Sequence, residues 1–356
     1  MKTTNRIKAI AAAGLALAAS VMIILPPSAG RLTNRNNTDI CEKISLDING
    51  AKIGMTISGN NDKPVLLFLG GGPAIPQYLL EYYYPTKLDE HFIVCMPSYR
   101  GTALSYDKEL DKSTITREQY VSDALAVTDY LRERFNTEKI YLMGHSFGTS
   151  IGLMLADRYP DRYNAYIAMS QITWQPSSEK LAYEHMKEIC TDKALKKELE
   201  RYSDAFADKP DMNSEDIRRY VAKTRDKAMH KLGVGTTRDM DSVITGIFFP
   251  SLRMTDFTPA ERIAVWQGRA YHRGTPLDAE DFSFTAEDIT THLDIPYYVL
   301  AGVYDYTTAY TLQKEYFDMM DAPDKEFFSF DNSAHSPLYE EPEKAIEILD
   351  EIIKKQ

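Results

Sequence analysis

The stretch KIYLMGHSFG, residues 139–148, constrains this chain more than any other. Residues 140–143 form an apolar run of strand length, and residues 149–156 continue as a helix of small and apolar residues. Between them the chain must turn sharply through Gly144-His145-Ser146-Phe147-Gly148. A G-x-S-x-G turn between strand and helix strains the backbone so that the serine hydroxyl projects above the sheet, and its two glycines let strand and helix approach with no Cβ between them. Ser146 is therefore the candidate nucleophile. The rest of the chain must then provide a base, an orienting acid and donors for an oxyanion.

The flanking pattern is that of a mostly parallel sheet. Residues 41–48 and 52–57 read as a hairpin turning on Asn49-Gly50. Residues 64–69, PVLLFL, and 92–96 are unbroken apolar strands, as expected where helices cover both sides. Thr116-Arg117-Glu118-Gln119 has the form of a capping box, opening a helix whose apolar face carries Val121, Ala124, Leu125, Leu131 and Phe135. Strands at 165–170, 296–302 and 326–330, a helix over 309–320 and an amphipathic helix from Pro342 complete the alternation. The fold class is α/β, a mostly parallel sheet of the eight-stranded type with helices on both faces.

From 172 to 287 charge and helical periodicity replace buried strands, with helix starts at Pro176-Ser177-Ser178 and at the capping box Thr258-Pro259-Ala260-Glu261. This segment reads as a helical cap inserted over the carboxyl edge of the sheet, where ligands bind in open α/β folds. The core is thereby split into residues 31–171 and 288–356.

Partners for Ser146 follow in the order that this kind of turn demands, an acid and then a histidine, each just past a strand end. Asp305 lies three residues beyond the 296–302 strand, and His335 lies five beyond the 326–330 strand. The other histidines fit less well. His145 adjoins the serine on the turn and cannot easily reach its hydroxyl, and His91 and His292 precede strands. His185, His230 and His272 fall in the insertion, where a solvated or packed ring is the plainer reading. Asp294 likewise precedes its strand. In this scheme His335 takes the Ser146 proton, Asp305 holds the imidazole, and an oxyanion is met by the Phe147 N–H with N–H groups of Gly71 or Gly72. Those two glycines belong to Gly70-Gly71-Gly72-Pro73-Ala74, which ends a buried strand. The chemistry calls for no metal and no organic cofactor.

Composition excludes one class of partner. With a formal net charge of −11 and no basic stripe, the chain is not built to neutralise nucleic-acid phosphates. Cys41, Cys95 and Cys190 have no metal-ligand spacing, and an odd number cannot pair completely; Cys95, in an apolar strand, reads as a buried thiol. Lys2, Arg6 and Lys8 precede an uncharged run over 9–25 that Pro26 and Pro27 end. That run falls between a signal-peptide core and a spanning helix in length. Residues 1–30 are expected to be a signal-anchor or a signal peptide. The domain is then exported, either held at the cell membrane through that segment with the catalytic part outside, or secreted after cleavage. Residues 31–39 read as a polar spacer. Nothing in the sequence speaks to oligomeric state.

Together these motifs resemble the α/β-hydrolase superfamily and, within it, the proline iminopeptidase branch. The matches are Gly71-Gly72-Pro73, Arg100-Gly101 with Ser105, residues 144–148, Gly302 to Asp305, and Ser333 to His335. Gly70 stands where the branch has His, Ala74 where it has Gly, and Ser98 and Ala103 where it has Asp and Gly. The resemblance implies a serine hydrolase with a Ser-Asp-His triad and a helical cap, acting on a short peptide or a small amide or ester. In peptidases of this branch cap carboxylates receive the substrate's free amine. Glu179, Glu184 and Glu188 stand in a position to do so, although a solvated helix face is the plainer reading of them. The alternative class is a binding or scaffolding module that keeps the fold without turnover.

Overall fold

The computed structural model describes residues 26–28, 30–280 and 283–356. Strands β1 (Ile40–Ile48) and β2 (Ala51–Gly59) pair antiparallel across Asn49-Gly50, both with positive φ, as a two-residue hairpin turn requires. Strands β3 (Val65–Leu69), β4 (Ile93–Pro97), β5 (Ile140–His145), β6 (Tyr163–Met169), β7 (Tyr297–Gly302) and β8 (Lys325–Phe330) follow. They join one eight-stranded sheet in the order β1-β2-β4-β3-β5-β6-β7-β8, antiparallel from β1 to β4 and parallel thereafter. The continuous apolar runs of β3, β4, β5 and β7 are wholly buried, because helices cover both faces. Helices Arg117–Arg134, Phe147–Arg158 and Tyr310–Met319 pack on one side, and Pro337–Glu340 and Pro342–Lys355 on the other. Cys95 is a fully buried free thiol of β4.

Only half of the expected capping box at Thr116 forms. The Thr116 hydroxyl accepts from the Gln119 N–H, but the Gln119 carboxamide turns away to Asp123. Asp123 in turn holds the buried Arg100 through two 2.8 Å bonds, and Arg100 also donates to the Asn49 carbonyl, so this cluster braces the β1–β2 turn. At Thr258 the box is complete.

Between β6 and β7 the described chain is helical. Helix Gln175–Ile189 packs with Lys193–Glu200 and with Glu215–Tyr220, which runs through a π-turn at Val221–Arg225 into Asp226–Lys231. These share an apolar cluster of their own, including Tyr183, Met186, Leu199, Phe206 and Tyr220. Helix Pro259–Tyr271 lies instead directly on the core, where a Cβ on Gly268 would stand 2.8 Å from the Thr102 Cα.

The signal-anchor or signal-peptide expectation covers residues 1–30, of which 1–25 and 29 lie outside the described residues. Among the described residues no helix is long and apolar enough to cross a membrane. The spacer reading of residues 31–39 needs correction. Thr33 bonds through both its N–H (2.9 Å) and its hydroxyl (2.6 Å) to the buried Asp256, and Leu32 and Thr38 are buried. Just before it, the Pro26 carbonyl accepts from the buried Arg262 at 2.8 Å. Polar composition suggested exposure, but Thr33 and Pro26 find partners more than 200 residues away.

Candidate active site

Ser146 sits at φ 53°, ψ −120°, a strained conformation for a residue with a side chain. Its N–H is fixed to the Met169 carbonyl at 3.0 Å. The flanking glycines make the turn feasible. A Cβ on Gly144 would lie 2.7 Å from the Gly148 carbonyl oxygen, and one on Gly148 would lie 2.1 Å from that of Leu69. The turn is therefore seated against the end of β3 and the glycine loop that follows it.

Asp305 follows β7 and is completely buried. Its Oδ1 accepts the N–H groups of Thr307 (2.9 Å) and Thr308 (3.1 Å); its Oδ2 accepts from the Thr308 hydroxyl (2.9 Å) and the Gln313 carboxamide (3.1 Å). His335 Nδ1 lies 2.9 Å from the same Oδ2. Burial alone would raise this carboxyl, but the neighbouring His335 and the hydrogen bonds outweigh it and hold Asp305 below the ordinary carboxylate range. With Nδ1 committed to Asp305, Nε2 is the nitrogen left to the cavity that His335 shares with Ser146. Among the described residues no hydrogen bond joins the Ser146 hydroxyl to His335; the two meet as walls of one cavity. Gly71 and Gly72 line it as well, and its volume is about 190 Å³.

Sequence reasoning missed the side chains that tie these parts together. Gln77 stands where a side chain on residue 70 would go, since a Cβ on Gly70 would lie 3.0 Å from the Gln77 Cβ. Its Oε1 accepts the Gly71 N–H at 3.3 Å, and its Nε2 donates to the Tyr339 hydroxyl at 2.9 Å. Of the two loop amides, Gly71's is thus turned to Gln77, while no described acceptor takes that of Gly72. The first-turn N–H of Phe147 likewise has no intrahelical acceptor. His145 lies 3.2 Å from Gln77 Oε1 and donates through Nε2 to the His335 carbonyl at 2.8 Å, so it positions the histidine loop. Burial, then the proximity of His335, pushes His145 down to about 3, leaving it neutral. Ser170, also at positive φ, donates to the same carbonyl at 3.0 Å. Apart from the Gln77 contacts with the glycine loop, these span 68 to 262 residues, and no local pattern signals them.

Glu340 fastens the loop from its other side. Its Oε2 accepts the N–H groups of Ala334 (3.0 Å) and Ser336 (3.2 Å), and its Oε1 accepts that of Arg238 from the cap (2.6 Å). Burial raises this carboxyl from 4.5 to about 7. A raised carboxyl binds its proton more tightly in the native state. Its stability contribution is therefore complete below about 4.5 and is lost as pH climbs through about 7. Glu340→Gln should remove that loss. Urea denaturation is expected to show the variant gaining on the wild type by on the order of 1–2 kcal/mol between pH 4.5 and 7. A pH-independent difference would exclude Glu340 as the titrating group.

The cap contributes Arg225, Asp226, His230 and Arg269 to the cavity. Of the three glutamates that the sequence groups together, Glu184 and Glu188 are exposed, but Glu179 is fully buried. Arg225 grips Glu179 with bonds of 2.6 to 2.9 Å, because this face of helix Gln175–Ile189 packs on Asp226–Lys231 instead of facing water. No described group of His, Cys, Asp and Glu side chains could hold a metal ion.

The family model for the alpha/beta hydrolase fold matches residues 64–342. A curated relative, the "Probable aminopeptidase YbaC" of Bacillus subtilis (strain 168), is 30% identical over 300 residues, covering 83% of this chain and 91% of its own. Among solved structures, the proline iminopeptidase of Mycobacterium smegmatis superposes with a TM-score of 0.62 at 15% identity, covering 88% of this chain and 98% of that one. A proline iminopeptidase-related protein of Thermus thermophilus gives 0.60 at 19%, with the same coverage. At such identities the structures speak for the fold, while the matched model and the curated relative establish kinship: the chain belongs to the α/β-hydrolase family.

Proposed function

We propose that this protein is a serine aminopeptidase that releases the N-terminal residue of short peptides through an acyl-enzyme on Ser146. The observation that carries this is the buried Asp305–His335 pair opening onto the same cavity as the strained Ser146. As the Ser146 oxygen attacks the carbonyl carbon, His335 Nε2 takes its proton and the ring becomes cationic beside Asp305. The oxyanion forms between the N–H groups of Phe147 and Gly72. Each such donor is worth about 3–4 kcal/mol in the transition state. His335 then protonates the leaving amine, the C–N bond breaks, and water repeats the sequence to free the acid and regenerate Ser146.

The amine of an aminopeptidase substrate needs a carboxylate in the cavity. Glu179 is saturated by Arg225 and Gln175 and has no exposed surface. Asp226 lines the cavity with its side chain 44% exposed and only one Arg225 bond. Two carboxylates on one guanidinium leave a negative charge over, and Asp226 carries it toward the substrate. Similarity to a relative named as an aminopeptidase supports the same reading.

A fluorophosphonate probe is expected to label the wild type and to fail on Ser146→Ala. Equal labelling of both, or none of the wild type, would falsify the serine mechanism and favour a non-catalytic module. Alanyl and prolyl nitroanilides compared with short-chain nitrophenyl esters then decide the acyl donor. Ester turnover without amide turnover would reject the aminopeptidase.

A further inference from the structure

The cavity holds one cation that this mechanism does not use. Arg225 is neutralised by Glu179 and Asp226, but Arg269 is different. It lines the cavity with Ser146 and His335 and is half-buried; among the described residues no carboxylate lies within 4.0 Å of its guanidinium. The Trp266 ring lies 5.9 Å from its Cζ, near the limit at which a ring face attracts a cation.

Arg269 is also held in place. One residue earlier, Gly268 touches the core backbone: a Cβ there would lie 2.8 Å from the Thr102 Cα and 2.9 Å from the Gly101 carbonyl oxygen. The helix is fixed again where Trp266 donates to the Ser251 hydroxyl at 2.7 Å, and at its start by the Thr258 capping box. Ile75, Leu79 and Ile247 make neighbouring parts of the wall apolar. A guanidinium carried on a fixed helix beside apolar surface, with no described carboxylate paired to it, is suited to a planar anion taken through two N–H groups.

Resting on the aminopeptidase reading, we propose that Arg269 binds the C-terminal carboxylate of the substrate, so that the enzyme selects free di- and tripeptides over longer or blocked chains. Asp226 and Arg269 then give the cavity one charge of each sign, as a zwitterionic peptide requires.

The test is the ratio of kcat/KM for Ala-Ala to that for Ala-Ala amide, followed by chromatography of released alanine. Wild type is expected to favour the free acid roughly tenfold or more, and Arg269→Met to bring the ratio near one, with Arg269→Lys in between. Should Arg269→Met not fold, Arg269→Gln carries the same comparison. A wild-type ratio near one, or a ratio that Arg269→Met leaves intact, overturns the proposal. So does a preference for Ala-Glu amide over Ala-Ala amide that Arg269→Met abolishes, since the cation would then serve a side chain. Loss of all peptide turnover with Ser146 labelling and ester hydrolysis preserved overturns the aminopeptidase reading as well, and is recognised by that pattern.

Discussion

Asp305→Asn is expected to lower kcat roughly 10⁴-fold while leaving the protein folded. The reason lies in which atoms the amide would replace. Oδ1 of Asp305 accepts two backbone N–H groups, so the asparagine oxygen must take that side. Its NH₂ then stands in place of Oδ2, facing His335 Nδ1. An NH₂ there can only donate, which makes Nδ1 the bare nitrogen and puts the ring hydrogen on Nε2. In that tautomer the nitrogen facing the cavity can no longer accept the Ser146 proton. The steady-state rate and the rate of fluorophosphonate labelling should fall together. Labelling at the wild-type rate would remove Asp305 from the mechanism.

Gly148→Ala should be strongly destabilising, by about 3 kcal/mol or more. Its Cβ would stand 2.1 Å from the Leu69 carbonyl oxygen, 2.7 Å from the Leu69 carbonyl carbon and 2.8 Å from the Gly70 oxygen. All three are backbone atoms, and two belong to a buried central strand, so nothing nearby can swing aside. The elbow would have to part from the glycine loop, moving the Phe147 and Gly72 amides relative to each other. Gly50→Ala is the control: φ is +75°, but nothing lies within 4 Å of the new Cβ. It bears conformational strain alone, about 1 kcal/mol. Thermal melts of the two variants separate crowding from strain, and equal losses would refute the account of Gly148.

The contrast between those glycines also shows what the sequence made legible. Buried parallel strands announce themselves as unbroken apolar runs, and a turn with two glycines between such a strand and a helix leaves little room for another reading. Hence β3, β5 and β7 and the placement of Ser146, Asp305 and His335 past strand ends could be read directly. Side-chain partnerships could not. Glu179 looked like its neighbours Glu184 and Glu188, because spacing along one helix cannot show that Arg225 arrives from another. His145 was passed over as a base for its poor reach to Ser146, but its service to the His335 carbonyl links residues 190 apart. Gly70 stood where the resembling branch has His. In three dimensions it is a vacated space that Gln77 fills from seven residues downstream.

The strap formed by Pro26 and Thr33 has a consequence for the timing of synthesis. Its anchors, Asp256 and Arg262, are made 223 and 236 residues later than the groups they bind. A chain emerging from the ribosome at about 5–20 residues per second therefore carries this segment unfastened for at least about ten seconds. The first described residues to be translated are among the last to be secured, and they close over a cap that must already have folded to receive them.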